Sequence, residues 1–188
     1  MALTSRLSES FFRRDADRVA RDLIGMGLFV DGVGGLIVET ESYDGSDPAS
    51  HSFGMKPTLR NQAMFGPPGT AYVYRSYGIH WCLNFVCAPG SAVLIRALAP
   101  LRGLARMQAR RGTEVERLLC SGPGRLCQAL AVSGALNGRN LFAPPFRLQP
   151  RAAAVSIQTG PRIGISKAMD APRRHGLEKS AFLSRPFP

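Results

Sequence analysis

Lysine is nearly missing from this chain. Of its 24 basic residues, only Lys56, Lys167 and Lys179 are lysine, and the other 21 are arginine. Acids are missing from a long middle stretch, with none between Asp47 and Glu114. No apolar run approaches the roughly 20 residues needed to span a bilayer, which excludes a transmembrane helix and a membrane partner. The opening residues MALTSRLSESFFRR hold no apolar stretch of signal-peptide type, so secretion is not expected. None of the four cysteines (Cys82, Cys87, Cys120, Cys127) stands in a C-x-x-C, and no histidine lies at zinc-finger spacing from them. They sit in or beside apolar runs and read as buried reduced thiols, so neither a disulfide framework nor a metal site is expected.

What is present fits a globular protein. At 188 residues the chain is long enough for one domain with a real core and too short for two ordinary ones, so residues 1–188 are read as one domain. Hydrophobic residues make up 45%, too many for a disordered chain. The net charge is +11, unevenly spread. Residues 1–47 carry nine acids and five basic residues, and the remainder carries four acids and nineteen. A body of net +15 attracts polyanions, and nucleic acid is the commonest of these inside cells. An arginine-rich composition with solvated faces would give the same count.

Apolar spacing and turn residues outline the elements. A helix is expected over 15–25, capped by Asp15 and ended by Gly25. Leu36–Tyr43 reads as a strand with Ile37, Glu39, Glu41 and Tyr43 on one side. Residues 44–69 form a long Gly-, Pro- and Ser-rich loop of the kind that carries function. Thr70–Ser76, Ile79–Cys87 and Ala92–Leu98 read as an antiparallel meander, with Ile79, Trp81, Leu83, Phe85 and Cys87 facing the core. Pro100 is expected to open a helix over 101–111 that aligns Arg102, Arg106 and Arg110 as a basic stripe. A helix from Ser121 to about 132, with Ser121 as cap, and short strands near 153–158 and 162–166 complete the chain. Strands with peripheral helices and no βαβ rhythm indicate the α+β class.

All four tyrosines (Tyr43, Tyr72, Tyr74, Tyr77) fall within 35 residues, next to Glu39 and Glu41 and at the edge of the acid-free stretch. Aromatics among arginines suit stacking on unpaired bases. A carboxylate beside them suits an enzyme acting on a base taken out of the duplex. Tyrosines are also ordinary strand formers that fill half-buried faces. Tyr77 immediately precedes Gly78 at an expected hairpin tip, where an aromatic can enter a base stack as a wedge.

The segments Val38-Glu-Thr-Glu41-Ser-Tyr43, Ala49-Ser-His51-Ser52, Arg60-Asn61-x-x-Met64-Phe65 and Pro68-Gly-Thr-Ala-Tyr72-Val-Tyr74-x-x-Tyr77-Gly78 follow one another. Cys82-Leu-Asn84, Leu94-Ile-Arg96-Ala-Leu, Cys120-Ser-Gly-Pro123-x-x-Leu-Cys-Gln-Ala-Leu130 and Pro161-Arg-Ile-Gly-Ile165 come next. Together they closely resemble the alkyladenine (3-methyladenine) DNA glycosylase family, from about Phe11 to near the C-terminus. The resemblance implies a mixed domain around a curved, barrel-like antiparallel sheet with peripheral helices. It implies hydrolysis of the bond between a damaged purine and deoxyribose in double-stranded DNA. The implied substrates are of the 3-methyladenine, 7-methylguanine, hypoxanthine and ethenoadenine type.

The matching positions imply roles. Glu41 would position and deprotonate the attacking water, with Arg96 as its partner. Tyr43, His51 and Tyr74 would form the base pocket, with Tyr72 a further aromatic beside it. Asn84 would crowd the exocyclic amine of a normal guanine. Tyr77 would fill the gap left by the flipped nucleotide. Apart from the resemblance, the expected stripe of Arg102, Arg106 and Arg110 is either a face that contacts the DNA backbone or a solvated one. Glu39 is expected at the strand surface or behind the site, and His80 and His175 at the surface. With no lysine in these motifs, a water-using monofunctional enzyme is expected rather than a lyase. No metal or organic cofactor is implied, the expected state is a monomer, and the expected location is with the DNA of a bacterium or in a nucleus. The segment Ala171-Pro172-Arg173-Arg174-His175 departs from the aromatic-Arg-Phe common in related chains. The competing reading is a catalytically silent nucleic-acid-binding module on the same scaffold.

Overall fold

The strand expected at Leu36–Tyr43 begins three residues earlier and becomes the spine of the sheet. In the computed structural model, which describes residues 7–188, a short helix α1 (Glu9–Phe12) leads into α2 (Ala16–Leu23). Residues 1–6, part of the stretch read above for a signal peptide, lie outside the described residues. α2 starts where expected because the Asp15 carboxylate accepts from the backbone N–H groups of Asp17 (3.0 Å) and Arg18 (3.1 Å). A cap of this kind contributes on the order of 1 kcal/mol. One face of α2, with Val19, Ala20 and Leu23, is buried, and the charged residues take the other.

The remaining elements are β1 (Gly27–Val30), β2 (Val33–Tyr43), β3 (Ala71–Ser76), β4 (His80–Val86), β5 (Ala92–Arg102), α3 (Leu104–Arg111), α4 (Pro123–Leu130), β6 (Phe146–Gln149), β7 (Ile157–Gly160) and β8 (Arg174–Leu177). The strands run in the order β3-β4-β5-β2-β1-β6, and β8 pairs with both β2 and β7. All pairings are antiparallel, and the sheet curls into a half-barrel with a few helices, an α+β fold as expected. Among the described residues no helix is long and apolar enough to cross a membrane.

Alternation along the strands creates two unlike faces. Val73, Leu83, Phe85, Val93 and Ile95 point into the core with Phe12, Val19 and Leu23 from the first two helices and Leu126 and Leu130 from α4. Truncating a ring such as Phe85, which is fully buried, is worth about 3–5 kcal/mol. The opposite face carries Tyr72, Tyr74, Cys82, Asn84, Leu94 and Arg96. The meander thus forms as read. All four cysteines are buried and unpaired.

Two extra residues reset the alternation on β2 and β5. Ile37 faces Leu98 and Glu39 faces Ala97, so Val38 is extra on β2; Thr40 then faces Ile95, so Arg96 is extra on β5. Ile37 therefore stays in the core, while Glu39 and Glu41 turn to the other side with Arg96. The expectation that Ile37 shares a face with the two glutamates is corrected by this pair of bulges.

Other expectations also change. Pro100 lies inside β5 rather than opening a helix, at a register shift where Gly34 faces Arg102 and Gly35 faces Pro100. A bulge is where a sheet tolerates a residue without an N–H. The helix starts at Leu104, after Gly103, so Arg102 is on a strand and the three-arginine helical stripe does not exist. Gly122, not Ser121, caps α4, with Pro123 in its first turn. The strand expected at 153–158 forms at Ile157–Gly160, and 162–166 is irregular. The polar tail instead supplies β8, which buries His175 completely against α2. Ile79 belongs to the hairpin tip and is exposed, while Trp81 is only partly buried against the core.

Candidate active site

The polar face of the curled sheet and the 44–69 loop enclose an open cavity of about 790 Å³. Glu41, Arg96, Tyr43, His51, Tyr72, Tyr74 and Asn84 all line it, and Tyr77 stands at its rim. Residues far apart in sequence meet here because β2, β3, β4 and β5 are neighbours and each sends alternate side chains to the same side.

Glu41 and Arg96 form its floor. The Glu41 side chain is fully buried, yet it borders the cavity. Its Oε2 accepts from the Tyr43 hydroxyl at 2.8 Å and from Arg96 Nη1 at 3.2 Å, and its Oε1 accepts from the Ile163 backbone N–H at 2.8 Å. A carboxylate accepts about four hydrogen bonds, so one position on Oε1 remains open. Glu39 differs. Its Oε1 takes Arg96 Nε (3.1 Å), Arg174 Nε (2.8 Å) and the Ser184 hydroxyl (2.8 Å), and its Oε2 takes the Ser184 N–H (2.6 Å). Glu39 thus accepts four hydrogen bonds and does not border the cavity. It lies behind the site, which of the two places expected for it excludes the strand surface. Burial disfavours the charged Arg96, but Glu41 and Glu39 outweigh it and raise its pKa further.

Aromatic rings form the walls. Tyr72 and Tyr74 lie 5.3 Å apart at 30°, and His51 meets Tyr74 edge-on at 4.5 Å. His51 Nδ1 shares a 2.9 Å hydrogen bond with the Tyr72 hydroxyl. The His51 carbonyl accepts from Asn61 Nδ2 at 2.8 Å, which braces the loop behind the imidazole. Burial, and then the charge of Arg60, hold the imidazole below its ordinary pKa. Burial pushes Tyr72 up to about 12. It also raises Tyr74, with Cys82 adding to the effect, and Tyr43, where the neighbouring Glu41 charge adds to it. All three hydroxyls therefore keep their protons at neutral pH. Asn84 is fixed by donating to the Tyr72 carbonyl at 3.1 Å.

The rim is cationic and carries one projecting ring. Tyr77 and Gly78 both take positive φ (50° and 68°), and the Ile79 N–H donates to the Ser76 carbonyl at 3.0 Å. This tight turn, in which glycine is the low-cost residue at the second position, leaves Tyr77 86% exposed. Arg60, Arg75 and Lys167 border the cavity from three different segments. Arg60 lies 5.8 Å from the Tyr74 ring and Arg75 lies 5.1 Å from that of Trp81. Arg102 and Arg106 are not brought here. Arg102 faces Gly34, and Glu41 lies seven residues further along β2, or about 23 Å at strand spacing. Arg102 covers Phe29, Arg106 reaches the Asp31 carbonyl, and Arg110 donates to the Ala129 carbonyl at 2.8 Å.

The motifs placed the cavity residues but not their supports. Arg162 forms a buried ion pair with Asp47 and lies 4.7 Å from the Tyr43 ring. Arg174, Ser184 and the Ile163 N–H were also not singled out, and Lys167, outside the motifs, reaches the rim. Arg60 and Arg162 stood inside quoted motifs, which was the available signal. His80 is exposed as expected, whereas His175 is not a surface cation: its Nε2 lies 2.8 Å from Asp17 Oδ1 and its Nδ1 3.1 Å from the Thr159 hydroxyl. Among the described residues no group of three or more His, Cys, Asp or Glu side chains is arranged to hold a metal ion.

A family model described as methylpurine-DNA glycosylase (MPG) matches residues 10–181. A protein of Agrobacterium fabrum is 59% identical over 186 residues, covering 99% of this chain and 96% of its own length. One from Rhodopseudomonas palustris strain BisB18 is 60% identical over 190 residues, covering 100% and 94%. One from Nitrosospira multiformis is 63% identical over 172 residues, covering 90% and 89%. Each of the three carries the name "Putative 3-methyladenine DNA glycosylase".

Proposed function

Because the chain belongs to the methylpurine-DNA glycosylase family, and is thus a DNA glycosylase, we propose that it flips a damaged purine into this cavity and releases it with a water activated by Glu41. The observation that carries the assignment is the contrast between the two buried glutamates. Glu39 accepts four hydrogen bonds and stands away from the cavity, whereas Glu41 accepts three and borders it.

The reaction then balances simply. The water oxygen bonds to C1′ of the deoxyribose, and its proton passes to Glu41. The bond to the purine nitrogen breaks, and its electron pair leaves with the base. Positive charge builds on the sugar as that bond stretches, and the carboxylate stabilises it. Arg96 keeps the carboxylate aimed. An N-alkylated purine is cationic and leaves readily, and it favours the electron-rich faces of Tyr43 and Tyr74. Substrates of the 3-methyladenine and 7-methylguanine type follow from this chemistry. Neutral hypoxanthine and ethenoadenine need a proton supplied to the base. Asn84, locked to the Tyr72 carbonyl, crowds the place of a normal guanine amine. Tyr77 fills the gap in the duplex, and Arg60, Arg75 and Lys167 meet the phosphates around it. Lys167 is exposed at the rim, which suits a phosphate contact, and an amine left in solvent lacks the desolvation that would activate it as a nucleophile, in keeping with a monofunctional enzyme.

A duplex with one hypoxanthine, and a second duplex methylated on its purines, test this reading. Incubation followed by hot alkali should break the strand at the lesion. Tight binding without a break in either duplex would favour the silent binding module. Affinity should fall steeply with salt as phosphate contacts release counterions.

A further inference from the structure

The C-terminal segment reaches the floor of the cavity from behind. Leu183 is buried, and Ser184 uses its N–H and its hydroxyl on the two oxygens of Glu39. The same hydroxyl accepts from Arg96 Nη2 at 3.3 Å. Arg174, on β8, donates to Glu39 at 2.8 Å and to the carbonyls of Arg185 and Pro186. The Phe187 ring closes over the Arg174 guanidinium at 3.9 Å. It is seated so tightly that a Cβ at Gly176 would come within 2.5 Å of it. Two arginines and two glutamates are thus interleaved, each with its side chain at most 7% exposed.

Arg96 has no freedom left in this arrangement. Its Nε, Nη1 and Nη2 each have a different acceptor: Glu39, Glu41 and Ser184. The guanidinium is planar, so fixing Nε and Nη2 from behind dictates where Nη1 points. We propose that Ser184 and Arg174 are positioning residues for base release: through Glu39 they hold the Arg96 fork so that it faces Glu41. The C-terminal segment is then a working part of the active site although it does not border the cavity. This inference rests on the reading of Glu41 and Arg96 as the reacting floor.

Ser184→Ala is the sharpest test, because Ser184 is not deeply buried and its backbone contact to Glu39 survives. Single-turnover base release should slow about tenfold, as for a lost hydrogen bond to charged groups. The dissociation constant for lesion duplex should stay within about twofold, since no cavity wall changes. Ser184→Thr should restore the rate, and Arg174→Lys should recover part of what Arg174→Gln loses. Ser184→Ala should stay cooperatively folded at the assay temperature, with its thermal midpoint lowered by only a few degrees. An unchanged rate in Ser184→Ala, or rate and binding falling together, would overturn the positioning role. With Glu41→Gln inactive and Ser184→Ala fully active, only this inference fails. A wild type that releases no base overturns both.

Discussion

Tyr43 donates its hydroxyl to Glu41 across 2.8 Å, and its ring walls the cavity that Glu41 borders. Base recognition and water activation therefore share one side chain. Tyr43→Phe keeps the wall and removes the donor. Base release in a single turnover should slow about tenfold with lesion affinity within about threefold. A loss of affinity with an unchanged rate would separate the two roles and contradict the shared one.

Tyr77 is the most exposed tyrosine-bearing site at the rim and is held out by a turn rather than by packing. Tyr77→Ala should weaken lesion-duplex binding by about 1–3 kcal/mol through lost stacking. Tyr77→Trp should retain it. Fluorescence anisotropy at fixed salt reads this directly, and equal affinities for wild type and Tyr77→Ala would remove the wedge.

His51 sets a pH expectation. Its pKa lies below the ordinary value of 6.5, first because the ring is buried and then because Arg60 is near. A folded-state pKa below the unfolded one means that its contribution to stability is complete above pH 6.5. That contribution is lost as pH falls through the lower, folded value. The stability gap between wild type and His51→Gln should therefore be constant from pH 8 to 6.5 and change only below that. An NMR titration placing His51 above 6.5 would contradict this.

Asp17 joins α2 to β2 and β8 through Ser42 and His175. Burial alone would raise its pKa, but the hydrogen bonds from His175 and Ser42 outweigh it and leave the group below 3.8. The stability it contributes is present above pH 3.8 and lost as pH falls through its folded value. Asp17→Asn should lower the thermal midpoint at pH 7, and the gap to wild type should close as pH drops below 3.8. A gap that persists at pH 2 would assign the effect to packing instead.

The sequence showed the strand bearing Glu41, the tyrosine-rich meander and the buried thiols, because each is written as local alternation. It did not show that Ile37 faces away from Glu39 and Glu41. That depends on Val38 and Arg96 bulging together, and a bulge is settled between strands that are far apart in the chain. Pro100 read as a helix start because the rule for proline is local, while its place in β5 follows from pairing with Gly35. His175 read as a surface residue for the same reason, and Arg174 beside it was given no role. Only the pairing of β8 with β2 shows that they are buried against Glu39 and Asp17. Arginines at helical spacing read as either a DNA face or a solvated one, yet the cations at the cavity rim come from three separate segments with no periodicity to reveal them.

Glu41→Gln tests the assignment of the reacting carboxylate most directly. The substitution keeps the shape and removes the base. Single-turnover release from a hypoxanthine or methylated duplex should fall by about 100- to 10,000-fold, with lesion affinity within about threefold of wild type. Release within tenfold of wild type would show that Glu41 is not the residue that activates water.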